Sequence, residues 1–176
     1  MKQYYLIGSA IAYCLCLPAP AAAVNDPWTE ANGAHEAALV IVQCLAAVGP
    51  AGPSLTREQC IKAPLDACSN RHATNEMTLA ECTRFTRDAW NARLTKQEDR
   101  ARAAGPLVAR ALDKSEARYR AWSDADCDVQ TGDDGGNYNA EQESICVFTH
   151  AAWRALELET LADWWEGRPP SASKVR

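Results

Sequence analysis

Three observations predict an all-α fold, a small disulfide-stapled helical bundle built on a long antiparallel helical hairpin plus a C-terminal helix. Apolar residues recur at three- and four-residue steps over long stretches. Strand-like alternation and β-hairpin signals are nearly absent. Six of the eight cysteines lie beyond the N-terminal apolar stretch as three sequence-neighbouring couples, Cys44/Cys60, Cys68/Cys82 and Cys127/Cys146, beside the helical segments.

Residues 1–23 read as a secretory leader. Lys2 gives a positive start, Tyr4 to Leu17 an apolar stretch, and Ala21-Ala22-Ala23 the small residues of a cleavage site. A retained anchor needs roughly 20 apolar residues, whereas this run ends at Pro18 with Pro20 just beyond. Lipid attachment at Cys14 or Cys16 needs a small residue before the cysteine, where Tyr13 and Leu15 stand. No membrane span is therefore expected after processing. The domain plan that follows is 24–59 as an N-terminal helical elaboration, 60–166 as the principal helical domain and 167–176 as a flexible tail.

The helices follow in order. Ala37 to Val48 is nearly all apolar apart from Gln43, too short to span a bilayer but long enough for a buried helix. Gly49-Pro50-Ala51-Gly52-Pro53 breaks it, and Thr56-Arg57-Glu58-Gln59 has the spacing of a capping box that starts a short helix through Cys60, ended or kinked at Pro64. From about Asn75 to Ala103, Leu79, Cys82, Phe85, Ala89 and Ala92 form an apolar stripe. Gly105-Pro106 stops that helix. The next, about Leu107 to Ala125, is read with Val108, Ala111, Leu112, Ser115, Tyr119 and Trp122 on its inner stripe and Lys114, Glu116, Arg118 and Arg120 mostly elsewhere. So short a turn makes the two an antiparallel hairpin. Cys127 to Tyr138, containing Gly132-Asp133-Asp134-Gly135-Gly136-Asn137, reads as the principal loop. Asn139-Ala140-Glu141-Gln142 repeats the capping spacing and opens a last helix to about Trp165, with Ile145, Phe148, Ala152 and Leu156 inside.

Composition excludes several functions. The 176-residue chain carries 18 Lys and Arg against 23 Asp and Glu, a net charge of −5, and loss of a leader holding Lys2 and no acid makes it more negative. Nucleic acid, whose binding rests on neutralised phosphates, is not an expected partner. All six tryptophans lie beyond the leader, in a remainder long enough to bury a core.

Six cysteines permit fifteen pairings. Neighbour pairing is favoured because each couple brackets a turn at a helix entrance, closing loops of about 14 to 19 residues, each worth roughly 3 kcal/mol. A zinc site is the competitor, since His72 lies between Cys68 and Cys82. No CxxC pair or CxxCH motif exists, however, and an oxidising compartment favours disulfides. Asp124, Asp126 and Asp128 suggest a calcium loop, but the tight-turn glycine position holds Val129 and the bidentate glutamate position Gly135. No metal or cofactor is implied. Catalysis has little support: His35, His72 and His150 are far apart in sequence, and no GxSxG, HExxH or phosphate-cradling glycine loop is present.

Cys68 with Met77 and Cys82, Asp88-Ala89-Trp90-Asn91-Ala92-Arg93-Leu94, Trp122 followed by Asp124-Ala125-Asp126-Cys127, Gly135-Gly136 and Cys146 together resemble the lysozyme inhibitor LprI-like family over about Cys60 to Trp165. Tyr119 and Trp122 occupy the family's aromatic positions, and Asp124 and Cys127 agree with its pattern. Ser123 stands where the family usually has Arg. Arg154 lies at the spacing of its later arginine, with Ala151 in place of the usual Thr. The resemblance implies a small envelope protein that blocks a muramidase. Asp128, Asp133, Asp134, Gly135 and Gly136 would then form an acidic, pliant prominence that approaches a cationic lysozyme or another basic envelope protein. The competing expectation is a non-catalytic envelope adaptor that meets a different protein or cell-wall partner through aromatics near Trp153, Trp164 and Trp165.

Overall fold

The computed structural model describes residues 28–48, 57–72, 78–132 and 137–167. They form five α-helices: α1 (Gly33–Ala47), α2 (Gln59–His72), α3 (Leu79–Ala103), α4 (Pro106–Thr131) and α5 (Asn137–Trp165). Among the described residues there is no strand, and no helix is long and apolar enough to cross a membrane.

The centre of the bundle is the pair α3 and α5, the most extensive helix contact in the molecule. They run in the same direction. Arg93 meets Glu159 at 2.8 Å, and about two turns further along α3 Arg100 meets Asp163 at 2.8 Å and Glu166 at 3.0 Å. These part-buried ion pairs fix the register of two helices whose touching faces are otherwise apolar. The main core collects Trp28, Ala37 and Ile41 with Ile61 and Leu65 of α2, Phe85, Ala89 and Trp90 of α3, and Phe148, Ala152 and Leu156 of α5. No residue of α4 enters it. A smaller cluster of Ala101, Leu112 and Leu158 is the apolar seat of α4.

Local chemistry explains the boundaries. Thr78 caps α3 in a capping box: its hydroxyl accepts from Glu81 N–H, and the Glu81 carboxylate accepts from Thr78 N–H at 2.6 Å, an arrangement worth about 1 kcal/mol. Gly105 turns the chain between α3 and α4 at φ 136°, a conformation that side chains with a Cβ rarely adopt. At the start of α1, a Cβ on Gly33 would sit 2.4 Å from the Phe85 ring, so only glycine lets α1 lie so close on α3. Disulfides Cys44–Cys60, Cys68–Cys82 and Cys127–Cys146, with Cα separations of 5.6, 5.6 and 5.7 Å, join α1 to α2, α2 to α3 and α4 to α5.

The structure corrects several expectations. Pro64 neither ends nor interrupts α2, which continues to His72. Pro64 cannot donate to the Cys60 carbonyl, but disulfides at Cys60 and Cys68 clamp the helix on both sides, and the Trp90 indole N–H donates to the neighbouring Ile61 carbonyl at 3.0 Å. α4 runs past Ala125 to Thr131, so Cys127 and Asp128 are helical and not part of a loop. α5 starts at Asn137, ahead of the expected cap at Asn139, and α1 at Gly33 rather than Ala37. Leu79 and Ala92 are exposed, as are Ala111, Ser115 and Trp122, whereas Glu116 is buried. Thr83 and Thr86 take inward positions on α3 by donating their hydroxyls to the carbonyls of Leu79 and Cys82, both at 2.9 Å, which satisfies them without a partner helix.

Trp90 is fully buried at the junction of α2 and α3. Trp90→Ala is expected to destabilise the fold by roughly 3–5 kcal/mol. Trp90→Phe keeps most of the apolar contact and loses the bond to Ile61, at about 1 kcal/mol. Urea midpoints check both, and a Phe variant as stable as wild type would show that the indole hydrogen bond contributes nothing.

Candidate functional site

The described site residues gather where α4 lies antiparallel on α5, between Cys146 and Glu157. Because α4 is absent from the main core, its position is set by polar ties. The inward stripe of α4 is Leu112, Glu116, Ser123 and Cys127, with Tyr119 half-buried. Glu116 faces Arg154 of α5, their side chains 5% and 8% exposed. Arg154 donates Nε–H to Glu116 at 2.7 Å and a second hydrogen bond to the same oxygen from Nη2. It also reaches Ser115 at 2.9 Å and Glu157 at 2.6 Å, and its guanidinium stands 5.2 Å from the centre of the Tyr119 ring. Burial opposes the arginine's charge, but the hydrogen bonds and charges of Glu116 and Glu157 outweigh it and hold its pKa above the ordinary range.

One helical turn on, the Tyr119 hydroxyl donates to the His150 carbonyl at 2.5 Å. His150 Nε2 donates to Asp126 Oδ2 at 3.0 Å, and Gln130 donates to the same carboxylate oxygen at 2.7 Å. The His150 ring meets Trp122 edge to face, centroids 4.6 Å apart, and Trp122 leans on Tyr119 at 5.7 Å. The Cys127–Cys146 bond closes the same junction. Cys127, Cys146 and His150 are grouped within 4.8 Å, but both sulfurs are spent on the disulfide, so the group offers a metal only an imidazole.

The residues singled out from sequence are divided by this arrangement. Tyr119, Trp122, Arg154, Cys127 and Cys146 come together at the junction. Trp90 belongs to the core, and Cys44, Cys60, Cys68 and Cys82 fasten α1, α2 and α3 to one another. Asp124 and Asp128 are exposed on the outer side of α4. Helical geometry through Thr131 also rules out the calcium-loop arrangement of Asp124, Asp126 and Asp128. Met77, Asp133, Asp134, Gly135 and Gly136 lie outside the described residues. Sequence reasoning missed Glu116, Asp126 and His150 as junction residues. The signal for Glu116 was present, since the spacing that turns Leu112, Tyr119 and Cys127 inward also turns Glu116 inward, and Arg154 sits among inward alanines.

Fold and junction together define a disulfide-stapled all-α protein of the kind made in oxidising compartments. The family model for lysozyme inhibitor LprI matches residues 68–158, and the chain belongs to that family. The match takes in α3, α4, the Glu116–Arg154 pair and two of the three disulfides, and leaves α1 and Cys44–Cys60 outside. No curated protein and no solved structure matches the chain.

Two outcomes follow from this geometry. Arg154→Met strands a buried carboxylate and is expected to cost roughly 3–5 kcal/mol, whereas Glu116→Leu combined with Arg154→Met recovers most of the loss; equal urea midpoints for the single and double variants would deny the pairing. Burial pushes the Tyr119 phenol up to about 12, Arg154 acting against it and Glu116 and Glu157 with it. A pKa higher in the folded than in the unfolded chain stabilises below the unfolded value, near 10, and that stabilisation is lost as pH climbs to about 12. Phenolate absorbance should therefore show Tyr119 ionising near pH 12 in the folded protein and near 10 in urea, and Tyr119→Phe should remove the step. Ionisation near 10 in the folded state would show the phenol to be hydrated.

Proposed function

We propose that this chain is an exported, non-catalytic inhibitor that caps a cationic muramidase with the acidic end of α4 and the Asp133-Asp134-Gly135-Gly136 segment that follows. In this reading residues 1–23 are removed on export, and the protein works in the envelope, in the periplasm of a Gram-negative cell. Family membership and the three disulfides support it.

The observation that carries the reading is electrostatic. Asp124 and Asp128 stand one turn apart on the same exposed side of α4, and among the described residues neither carboxylate has an ion-pair partner. Like charges at this spacing repel by about 0.2–0.5 kcal/mol. Asp128 also lies in the last turn, where the helix dipole disfavours an anion by about 0.3–1 kcal/mol, and that turn contains no basic residue. These carboxylates therefore cost stability in the free protein. A cationic surface relieves the cost on binding and is drawn in by the same charge.

The test is a titration of lysozyme against cell-wall lysis. Stoichiometric inhibition is expected, weakening as ionic strength rises from about 0.01 to 0.15 M. The Asp124→Asn, Asp128→Asn double variant should be up to about 1 kcal/mol more stable and inhibit about tenfold less well. Undiminished lysis at excess protein would refute the reading, and equal inhibition by the double variant would refute its acidic contact.

A further inference from the structure

On the flank of α4 opposite Asp124 and Asp128 lies a groove. It begins as a cleft of about 470 Å³ lined by Tyr119, Trp122, His150, Trp153, Arg154 and Glu157. A second hollow of about 470 Å³ shares His150 and Trp153 and adds Lys62, Gln130, Gln142 and Thr149. A third, of about 590 Å³, shares Lys62, Thr149 and Trp153 and continues along α2 to Asp66. Trp153 borders all three, so the hollows form one elongated depression around a single indole.

The two tryptophans at its head are 53% and 45% exposed. An indole usually buries most of its area in a fold, and here two line one cleft with about half of their area in water. Neither is idle for want of support: Trp122 is braced by His150 and Tyr119, and Trp153 stands on α5 beside the buried Arg154. Between and beyond these platforms the lining is made of amides, a hydroxyl, an imidazole and carboxylates. Each of the three hollows is within the volume range of ligand pockets. Their charged members are mostly acidic, Glu157, Glu58 and Asp66 against Lys62, with Arg154 neutralised by Glu116. Phosphate and other strongly anionic ligands are therefore disfavoured.

We propose that this groove binds a linear glycan of N-acetylated amino sugars. Pyranose rings present a face of C–H bonds to the Trp122 and Trp153 indoles. Their hydroxyl and acetamido groups meet Glu157, Gln130, Gln142 and Thr149. An elongated groove with aromatic platforms and amide-rich walls takes several residues of a polymer, which a single enclosed pocket does not. The assignment does not rest on lysozyme inhibition, since Asp124 and Asp128, the described acids that support inhibition, are on the opposite flank of α4. An inhibitor with this groove would be held on the polymer that its target cleaves.

The test is calorimetric titration of the oxidised full chain with tri-N-acetylchitotriose, with no lysozyme present. Saturable one-to-one binding is expected, indifferent to salt between about 0.01 and 0.15 M because the ligand is neutral. Trp122→Ala and Trp153→Ala should each weaken it about tenfold or more. Trp164→Ala, which removes a 66% exposed indole at the far end of α5, should leave it unchanged. Trp153→Phe keeps an aromatic platform and should retain part of the affinity, which covers the case in which the alanine variants fail to fold. Absence of saturation at millimolar trisaccharide, or wild-type affinity in folded Trp153→Ala, overturns the assignment. Loss of lysozyme inhibition in Trp153→Ala without any trisaccharide binding gives the groove to a protein partner and overturns it equally. Salt-sensitive inhibition that fails while trisaccharide binding persists removes the inhibitor reading alone.

Discussion

Arg154 organises the half of the molecule where function is expected. Its guanidinium makes four hydrogen bonds, two of them to the one buried carboxylate of α4. Helix α4 is long yet contributes only Leu112 to an apolar cluster, so the hydrophobic effect that fixes α1, α2, α3 and α5 does little to position it. What positions α4 is directional: Glu116 to Arg154, Tyr119 to the His150 carbonyl, Asp126 to His150, and the Cys127–Cys146 bond. Such contacts tolerate little displacement, and together they fix both the rotation of α4 about its axis and its place along α5. The orientation of Trp122, Asp124 and Asp128 follows from them.

A buried ion pair contributes less net stability than its geometry suggests, because both groups are taken out of water. The Glu116–Arg154 pair is better understood as specifying one arrangement. A hydrophobic substitute at both positions could pack at several registers, whereas a carboxylate that must meet a guanidinium is satisfied at one. The rest of the bundle divides the work differently. Two disulfides and the Phe85–Trp90–Phe148 core hold α1 and α2 on α3, while the ladder from Arg93 to Glu159 and from Arg100 to Asp163 aligns α3 with α5. On α3, Glu98, its side chain 7% exposed, reaches Arg120 at 3.5 Å, and Arg102 reaches Asp113 at 3.2 Å. Polar ties therefore hold α4 on this side as well.

The helical character of each segment, the turn at Gly105 and the all-α class were legible because they depend on local pattern: periodicity, breakers and the scarcity of strand signals. Inward polar residues were not. Thr83 and Thr86 bury their hydroxyls against their own helix, and Glu116 and Arg154 are admitted only as a pair, so a search for apolar stripes placed Ala111, Ser115 and Trp122 inside instead. The end of α4 was misread for a related reason. Asp124 to Asp128 has the composition of a loop, but Ser123 and Cys127 continue the inward stripe, and the disulfide at Cys127 holds the last turns in place. Pro64 was read by its intrinsic preference, which tertiary packing and two flanking disulfides override. At the junction, Tyr119, Trp122 and Arg154 were found through family resemblance, while Asp126 and His150, which meet across 24 residues of sequence, had no local signature.

The period of a helix also explains how one element can serve two surfaces. Ser123 and Cys127 face α5, and the residues that follow them, Asp124 and Asp128, lie on one flank of that inward line. The residues that precede them, Trp122 and Asp126, lie on the other. Asp126 is spent on His150 and helps to hold the helix, while Asp124 and Asp128 are left with nothing in the described structure to balance them. The same sequence run, Trp122 to Asp128, thus separates into a flank of free negative charge and a flank of aromatic surface backed by α5. The first acts over about a Debye length and weakens in salt; the second acts only at contact and through shape. A partner engaging the acids need not displace a ligand between the indoles, because the body of α4, anchored at Glu116 and Cys127, stands between them.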